Sequence, residues 1–421
     1  MIIILKGGRV IDPRNRRDED ADIWMEDGQI IAPQETVPED AKIYDLAGKW
    51  VVPGLIDMHV HLRDPGEEYK ESIVTGTDAA AAGGFTAVAC MPNTDPVNDT
   101  GSVTRYILEK SEGAAARVYP VGALSEGLKG ESLAEYADMK HAGAVALTDD
   151  GNPVVSSQLM RRAMEYAKSH DMLVISHSEE PTLSKRGCMN EGLVATRLGL
   201  KGIPAVAESI MVQREIALAG LTGARLHIAH VSCIESLAAI RDAKKRGLPV
   251  TAETAPHYFS LTDDAVIGYD THAKMNPPLR TEEHRQAIRQ ALADGTLDVI
   301  ATDHAPHSIV EKEVTFEYAA NGIVGLETSL GLSLALVRDG VLTPSRLVEL
   351  MSSVPAQILS VAGGELGVGA IADVTVIDPE LEHTFLIAEG RSRGANSPFD
   401  GWKLKGAATL TFVAGEESYC R

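Results

Sequence analysis

Eight short apolar runs within residues 50–307 constrain the fold more than any other feature of this 421-residue chain. Stretches with apolar residues at three- and four-residue spacing, such as 156–170 and 233–247, lie between them. Apolar strands that alternate with amphipathic helices are typical of a parallel sheet. Eight such units in about 250 residues predict an α/β fold, a TIM (β/α)8 barrel. A doubly wound sheet is the alternative, but no GxGxxG turn follows the first run.

The two ends of the chain have a different texture. Residues 1–50 contain short strand-like segments broken by Gly, Asp and Pro, and the tail repeats them in "ADVTVIDP" and "ATLTFVAG". This pattern predicts a small β-sandwich domain built from both termini, residues 1–50 plus 366–421. The barrel, residues 51–365, would be inserted between the two halves.

Composition excludes several classes of function. The formal net charge is −21, which disfavours a nucleic-acid surface because phosphate binding needs clustered Lys and Arg. The chain has no run of about 18 apolar residues, so the sequence predicts no membrane span. The four cysteines are scattered without a CxxC pair, and the N-terminus lacks the pattern of a signal peptide. We therefore expect a cytoplasmic protein without disulfides.

Side chains that can bind a metal follow five of the eight runs, where the predicted strands end. They are His59 and His61 after the first run, Asp149 and Asp150 after the fourth, His177 after the fifth, His230 after the sixth and Asp303 after the eighth. Since catalytic groups of a TIM barrel lie at the carboxyl ends of its strands, we expect these side chains to converge on one mouth.

These residue types favour a hydrolytic metal centre. His59 and His61 are two residues apart, so both side chains point to one face of an extended strand. Imidazoles and carboxylates without cysteine suit Zn²⁺ or a related divalent ion, with one coordination position open for water. A second metal about 3.5–4 Å away would need a bridging carboxylate, which Asp150 could supply. Bound zinc lowers the pKa of water to about 7, and Asp303 could take its proton and deliver it to a leaving nitrogen.

The remaining histidines have simpler interpretations. We expect His227 to pack in the core, His257 to support the structure, and His304 to lie outside the set of metal ligands, because neighbouring positions on a strand face opposite sides. Solvent-exposed side chains are predicted for four further histidines: His141, His170, His284 and His383.

Seven motifs identify a family resemblance. "DMHVHLRDPG", "MPNTDP", "TDDG", "HIAHVS", "MNPPLR", "TDHAPH" and "GIVGLET" occur in this order along the chain. In order and spacing they resemble the class I (bacterial-type) dihydroorotases of the amidohydrolase superfamily, over nearly the whole chain. The resemblance implies reversible cyclisation of N-carbamoyl-L-aspartate to L-dihydroorotate and water, in de novo pyrimidine biosynthesis.

The resemblance also implies roles for individual residues. His59, His61 and Asp303 would bind one zinc, His177 and His230 a second, with Asp150 as the bridge and Asp303 as general acid and base. Arg63 and Asn93 would bind the substrate carboxylate. The full set implied to bind substrate is His61, Arg63, Asn93, Asn276, His307, Asn321 and Gly322. A bidentate guanidinium–carboxylate pair is a strong way to fix an anion, and this agrees with Arg63 at the predicted mouth.

Two segments depart from simple expectations. Many relatives carry an aromatic residue before the glycine of this last motif, whereas this chain has Asn321-Gly322. If the backbone makes the contact, Asn is tolerated. The polar segment 308–320 is predicted to be mobile and to close over the substrate as a lid.

Two alternatives remain open. Another cyclic amidohydrolase (dihydropyrimidinase, hydantoinase or allantoinase) usually bridges its metals with a carboxylated Lys at the fourth strand, where this chain offers Asp150. A non-catalytic partner of aspartate transcarbamoylase typically lacks the metal-binding histidines that are present here. The predicted partners are the small-molecule substrate, a second copy in a homodimer and, for an active enzyme too, aspartate transcarbamoylase.

Overall fold

The computed structural model describes residues 1–421, which form eighteen strands and fourteen α-helices. The strands are β1 (Ile3–Asp12), β2 (Arg17–Glu26), β3 (Gln29–Ile31), β4 (Lys42–Asp45), β5 (Trp50–Pro53), β6 (Leu55–Val60), β7 (Phe85–Cys90), β8 (Arg117–Ala123), β9 (Ala146–Thr148), β10 (Leu173–Ser176), β11 (Met189–Asn190), β12 (Gly202–Ile203), β13 (Leu226–Ile228), β14 (Val250–Thr254), β15 (Val299–Ile300), β16 (Val374–Thr384), β17 (Lys403–Val413) and β18 (Glu416–Cys420).

The helices are α1 (Ile73–Ala82), α2 (Gly101–Lys110), α3 (Tyr136–Ala142), α4 (Ser157–Ser169), α5 (Pro181–Ser184), α6 (Leu193–Leu198), α7 (Val206–Thr222), α8 (Ile234–Lys245), α9 (Pro256–Ser260), α10 (Glu282–Asp294), α11 (Ile309–Lys312), α12 (Leu326–Arg338), α13 (Pro344–Val348) and α14 (Val354–Leu359). A π-helical turn, Glu349–Ser353, joins α13 to α14. None of the helices combines the length and apolarity that crossing a bilayer requires.

Each of the eight apolar runs contains one strand of a single parallel sheet, in the order β15-β14-β13-β10-β9-β8-β7-β6. The two edges approach each other where Val60 pairs in parallel with His304, and the His61 N–H donates to the His304 carbonyl at 2.8 Å. The sheet is therefore a nearly closed eight-stranded barrel, and the predicted TIM-barrel class is confirmed.

Strand β7 shows why the runs are apolar almost throughout. All six of its residues are buried. Val88 and Cys90 pack into the layer between the barrel and its helices, whereas Ala87 and Ala89 pack inside the barrel. A strand covered on both faces needs apolar side chains at odd and even positions alike.

Helix α4 shows the matching pattern on the outer layer. Its buried residues, Met160, Ala163, Met164 and Ala167, recur at three- and four-residue spacing. They form one apolar stripe that faces the sheet. The Ser156 side chain accepts a hydrogen bond from the Leu159 N–H at 3.2 Å and caps the first turn.

Strands from the two ends of the chain share a second sheet of eight strands. Its order is β18-β17-β16-β5-β1-β2-β3, and β4 pairs with β1. Most neighbours are antiparallel, but β1 runs parallel to β4 and β5. The predicted β unit built from both termini is confirmed. The division at 50/51 and 365/366 stays a prediction.

The first apolar run is two strands rather than one. Strand β5 belongs to the terminal sheet and β6 to the barrel, with only Gly54 between them. The boundary is invisible in the sequence because both strands are buried and apolar. It brings the start of the barrel directly beside the terminal sheet, where the Thr375 hydroxyl donates to the Gly84 carbonyl at 2.6 Å.

Candidate active site

Six side chains at the ends of the barrel strands converge as predicted, and we call them the ligand cluster: His59, His61, Asp150, His177, His230 and Asp303. The Asp150 carboxylate lies at their centre. Its Oδ1 is 3.4 Å from His59 Nε2 and 3.6 Å from both His177 Nδ1 and His230 Nε2. Its Oδ2 is 3.5 Å from His61 Nε2. Asp150 is thus shared by two groups of possible metal ligands, one with His59 and His61 and one with His177 and His230.

Asp303 completes the first group. Its Oδ1 lies 3.4 Å from His61 Nε2 and 3.6 Å from His59 Nε2. Asp303 adopts a φ of 50°, and His230 a φ of 34°. Non-glycine residues avoid this region of backbone space, and such strain concentrates at functional sites.

The residues of the cluster fit a metal. His59 Nε2 and Asp150 Oδ1 are buried and have no hydrogen-bond partner, although they face each other. Burial raises the pKa of the Asp150 carboxyl, but the nearby imidazoles of His59, His177 and His230 outweigh burial and hold that pKa well below its usual value. An ionised carboxylate among imidazole nitrogens is a donor set that suits Zn²⁺ or a similar divalent ion.

A buried carboxylate on β14, the seventh strand of the barrel, orients His59. Glu253 Oε1 lies 2.7 Å from His59 Nδ1, which leaves Nε2 to face Asp150. The other oxygen of Glu253 lies 3.1 Å from His227 Nε2, and His227 Nδ1 contacts the Thr251 hydroxyl at 2.8 Å. Carboxylates behind imidazole ligands fix the ring orientation and raise the basicity of the ligand.

The other three histidines are held differently. His61 Nδ1 contacts Asn93 Oδ1 at 2.9 Å, a neutral partner. His177 Nε2 contacts Glu179 Oε2 at 3.1 Å, and Asn276 donates to the same carboxylate oxygen. His230 Nδ1 is buried without a partner. Two of the four imidazoles are therefore backed by a carboxylate.

A cavity of about 290 Å³ opens above the cluster. It is lined by all seven residues that the resemblance implies for substrate binding, together with four of the cluster and two small residues; the lining comprises His61, Arg63, Asn93, Asp150, Gly151, His177, His230, Asn276, Asp303, Ala305, His307, Asn321 and Gly322. The strand ends that carry His177 and His230 thus face the same space as the one that carries His61. Every residue predicted to bind metal or substrate lines this cavity except His59, which is fully buried beside Asp150 and Asp303.

Arg63 presents an unusual cation to this cavity. It is only 7% exposed, and its one side-chain hydrogen bond runs from Nε to the Pro306 carbonyl at 3.2 Å. The nearest carboxylate oxygen, on Glu67, is 3.9 Å away and is also paired with Lys70. The terminal nitrogens of a buried guanidinium thus lack a strong protein partner, which suits an anionic ligand.

His307 and the peptide Asn321–Gly322 also line the cavity; with Arg63 we call these residues the rim. His307 Nε2 contacts the Asn321 carbonyl at 2.7 Å. Gly322 has a φ of +121°, and a Cβ there would come within 2.6 Å of Ala305 Cβ. Position 322 therefore requires glycine, whereas the exposed Asn321 side chain meets no such restriction.

Segment 308–320 connects two parts of the rim, His307 and Asn321. Its short helix α11 has a capping box between Ser308 and Glu311. Lys312 is 1% exposed and donates to the carbonyls of Thr271 and Ala320 at 2.9 and 2.7 Å. The segment is thus attached at Lys312, and its predicted mobility stays a prediction.

Asp149 and Asp57 serve the backbone instead of the cavity. Asp149 accepts hydrogen bonds from the N–H groups of Leu124 and Ser125 at 2.8 and 2.9 Å. Asp57 accepts from the N–H groups of His59 and Thr302, both at 3.1 Å. Burial raises the pKa of each carboxyl to about 6. Of the pair after the fourth strand, only Asp150 reaches the site.

The remaining histidines mostly follow the sequence. His304 contacts Glu71 at 3.3 Å and lies outside both ligand groups. His257 is buried without hydrogen-bond partners, and burial lowers its pKa to about 4. His141 is exposed, but the prediction of solvent exposure was wrong for His170, His284 and His383, which are half-buried. His284 also accepts a hydrogen bond from the Ile234 N–H at 3.1 Å.

Sequence reasoning missed two carboxylates of the site. Glu253 is a charged residue inside an otherwise apolar run, which is a usable signal because such residues are rarely buried without a partner. Glu179 follows His177 at i+2, the same spacing that singled out His59 and His61.

Comparisons with known proteins agree with this architecture. A family model described as dihydro-orotase-like matches residues 48–236. A dihydroorotase of Syntrophotalea carbinolica is 58% identical over 421 residues, covering 100% of this chain and 99% of that protein. A dihydroorotase of Geobacter metallireducens is 56% identical, and each chain is covered completely.

Solved structures show the same fold with other names. An L-hydantoinase (dihydropyrimidinase) from Arthrobacter aurescens has a TM-score of 0.89 and 27% identity, covering 99% of this chain and 95% of that one. A dihydropyrimidinase from Brevibacillus agri has a TM-score of 0.86 over the same shares at 23% identity, which speaks for the fold alone. The full-length identity to the curated relatives is decisive: this chain belongs to the dihydroorotase family.

Proposed function

We propose that this protein is a dihydroorotase: it interconverts N-carbamoyl-L-aspartate and L-dihydroorotate plus water, in pyrimidine (UMP) biosynthesis. One observation carries the proposal. A buried arginine without a strong protein partner and a cluster of imidazoles and carboxylates face the same cavity. The arginine suits a substrate carboxylate, and the cluster suits hydrolysis of an amide bond.

The ligand cluster would hold one or two zinc ions. With two ions, His59, His61 and Asp303 would hold one and His177 and His230 the other, and Asp150, which is shared by both groups, would contribute to both. When bound, zinc supplies an acidified water and polarises the carbonyl of the ring amide. Asp303 Oδ1, beside His61, would take a proton from the water as the water oxygen bonds to the carbonyl carbon, and would return that proton to the ring nitrogen as the C–N bond breaks. Cyclisation runs through the same transfers in reverse.

The rim and its neighbours would orient the ring. Arg63 and Asn93 bind the carboxylate, with Asn276 and His307 beside them and the Asn321–Gly322 peptide against the ring. His61 lines the same cavity and contacts both metal and substrate. The Asn321 N–H makes no backbone hydrogen bond, so it can donate to a polar atom of the ring.

Segment 308–320 would act as a lid. It adjoins the rim through His307, and its exposed Val310 and Tyr318 are free of the core. Saturating substrate is expected to slow amide hydrogen exchange in 308–320. Equal exchange with and without substrate would contradict the lid.

The second candidate is a hydantoinase, which the shared fold and 27% identity over 99% of the chain favour. The assay that separates the two offers dihydroorotate, hydantoin and allantoin side by side to the purified, zinc-loaded protein. Turnover of dihydroorotate in preference to the two others supports the proposal. Preference for hydantoin or allantoin refutes it, and turnover of none would indicate a non-catalytic homologue.

We also infer a homodimer in the cytoplasm that can associate with aspartate transcarbamoylase. Light scattering tests the dimer, and co-sedimentation of the two purified enzymes tests the complex. A monomer in the first experiment, or independent sedimentation in the second, would reject the respective inference.

A further inference from the structure

The connection between β16 and β17, residues 385–402, leaves the terminal sheet and reaches the barrel mouth. Its residue Asn396 is 1% exposed. Asn396 lies 74 positions beyond Gly322 and 89 beyond His307, so this contact is long-range in sequence. A polar side chain buried this deeply needs partners, and all of its partners belong to the barrel.

The Asn396 side chain binds three backbone groups at the cavity wall. Its Nδ2 donates to the Ala305 carbonyl at 2.9 Å and to the Gly322 carbonyl at 3.0 Å. Its Oδ1 accepts from the His307 N–H at 2.9 Å. Its own carbonyl accepts from the Val324 N–H at 2.9 Å. One residue therefore ties the loop after β15 to the loop that carries the Asn321–Gly322 peptide.

The approach of this connection to the barrel is close. A Cβ at Gly394 would lie 2.6 Å from Pro306 Cβ and 2.9 Å from a methyl carbon of Val324. On its other side, Glu71 accepts hydrogen bonds from the Ser392 hydroxyl and the Arg393 N–H. The connection is therefore packed between the loop that follows Arg63 and the loop that carries His307.

We propose that Asn396 is a positioning residue for substrate, because it sets the spacing between His307 and the Asn321–Gly322 peptide. This inference rests on the proposed function, in which those groups contact the ring. Asn396 touches no member of the ligand cluster, so its effect falls on substrate binding and leaves metal binding intact. Loss of its two donated hydrogen bonds lets the two loops separate.

The test uses N396D, which keeps the shape and the acceptor but replaces the donor with an oxygen facing two carbonyls. We expect KM for dihydroorotate to rise at least about tenfold, because His307 and the Asn321–Gly322 peptide no longer hold the spacing that the ring needs. The value of kcat should change less than about threefold. Zinc content should equal that of the wild type. N396A provides a second variant if N396D folds poorly.

A control and a readout without substrate complete the design. Ser397 lies next in the chain, and its hydroxyl accepts a hydrogen bond only from the Phe399 N–H. KM of the control variant S397A should therefore stay at the wild-type value. In zinc-loaded N396D, amide exchange should speed up at residues 305–307 and 322–324. The proposal would be overturned by unchanged amide exchange at these residues in N396D or by an unchanged KM. It would also be overturned if N396D lost zinc and kcat to the same extent. Failure of the wild type on dihydroorotate, with faster exchange in N396D, would reject the proposed function and keep the positioning contact.

Discussion

The ligand cluster and the rim face one cavity but are held in place by different means. Every member of the cluster sits at or just beyond a barrel strand, and carboxylates on strand ends back His59 and His177. The rim lies on loops, and its backbone is fixed by Asn396 and Lys312 from outside the strand ends. The chemistry therefore rests on the rigid part of the fold, whereas recognition rests on connections that can vary without disturbing it.

The largest effect should come from the cluster. Replacing Asp303 by Asn removes the general acid and base, and kcat for dihydroorotate should fall by about 10²–10⁴-fold. The matched control is Asp12→Asn, because Asp12 is a fully buried carboxylate that accepts the Leu366 N–H at 2.7 Å in the terminal sheet, away from the cavity. It should keep kcat. A kcat of Asp303→Asn within tenfold of the wild-type value would show that Asp303 is not the general acid and base.

A rim change should spare the chemistry. Arg63→Met loses two charge-assisted hydrogen bonds to the substrate carboxylate, worth about 1.5 kcal/mol each, so kcat/KM for dihydroorotate should drop by about 10²-fold. Zinc content should stay at the wild-type level, since Arg63 contacts no cluster member. Arg63→Lys keeps the positive charge but lacks the paired N–H donors of the guanidinium, so its kcat/KM should lie between the values of the wild type and Arg63→Met. Equal kcat/KM in wild type and Arg63→Met would show that the carboxylate binds elsewhere.

The support behind the cluster predicts a metal phenotype. Glu253→Gln weakens the contact to His59 Nδ1, and zinc affinity should fall by about 10–100-fold, measured by competition with a chelator. Glu215→Gln makes the same change at an equally buried site in α7, where burial already raises the carboxyl pKa to about 7. This control should bind zinc as the wild type does. Matching affinities in the two variants would leave Glu253 without a role in metal binding.

The cluster could be predicted from the sequence because its physical basis is local. Strand ends follow from apolar runs, and a barrel brings all such ends to one face, so His177 and His230 needed no knowledge of the loops. The role of Glu253 could not be predicted from the sequence, because only the folded barrel shows which charged residue of a buried run lies behind a metal ligand. The change from the terminal sheet to the barrel at Gly54 could not be predicted either, because it falls within one apolar run.

The rim could be named only by family resemblance. Asn396 has no local sequence signal, since a polar residue in a Gly- and Ser-rich connection ordinarily predicts a solvent-exposed turn. Its burial depends on a contact between the terminal sheet and the barrel that no periodicity encodes. Lys312 similarly looked like part of a polar, mobile segment, yet its ammonium group is buried among carbonyls.

That buried lysine gives the smallest predicted effect and a direct test of rim rigidity. Burial and the nearby Lys274 lower the pKa of Lys312 to about 7, so between pH 7 and its ordinary value of 10.5 the unfolded chain binds more protons than the folded one. Stability from this residue therefore rises with pH, and wild type should gain about 1 kcal/mol over Lys312→Met between pH 7 and pH 8. Urea unfolding at both pH values measures the gain. Lys168→Met, at an exposed lysine that donates to the Thr222 carbonyl at 2.7 Å, should show the same difference from wild type at both. A pH-independent difference for Lys312→Met as well would mean that the ammonium group is solvated and the rim is looser than the cluster beneath it.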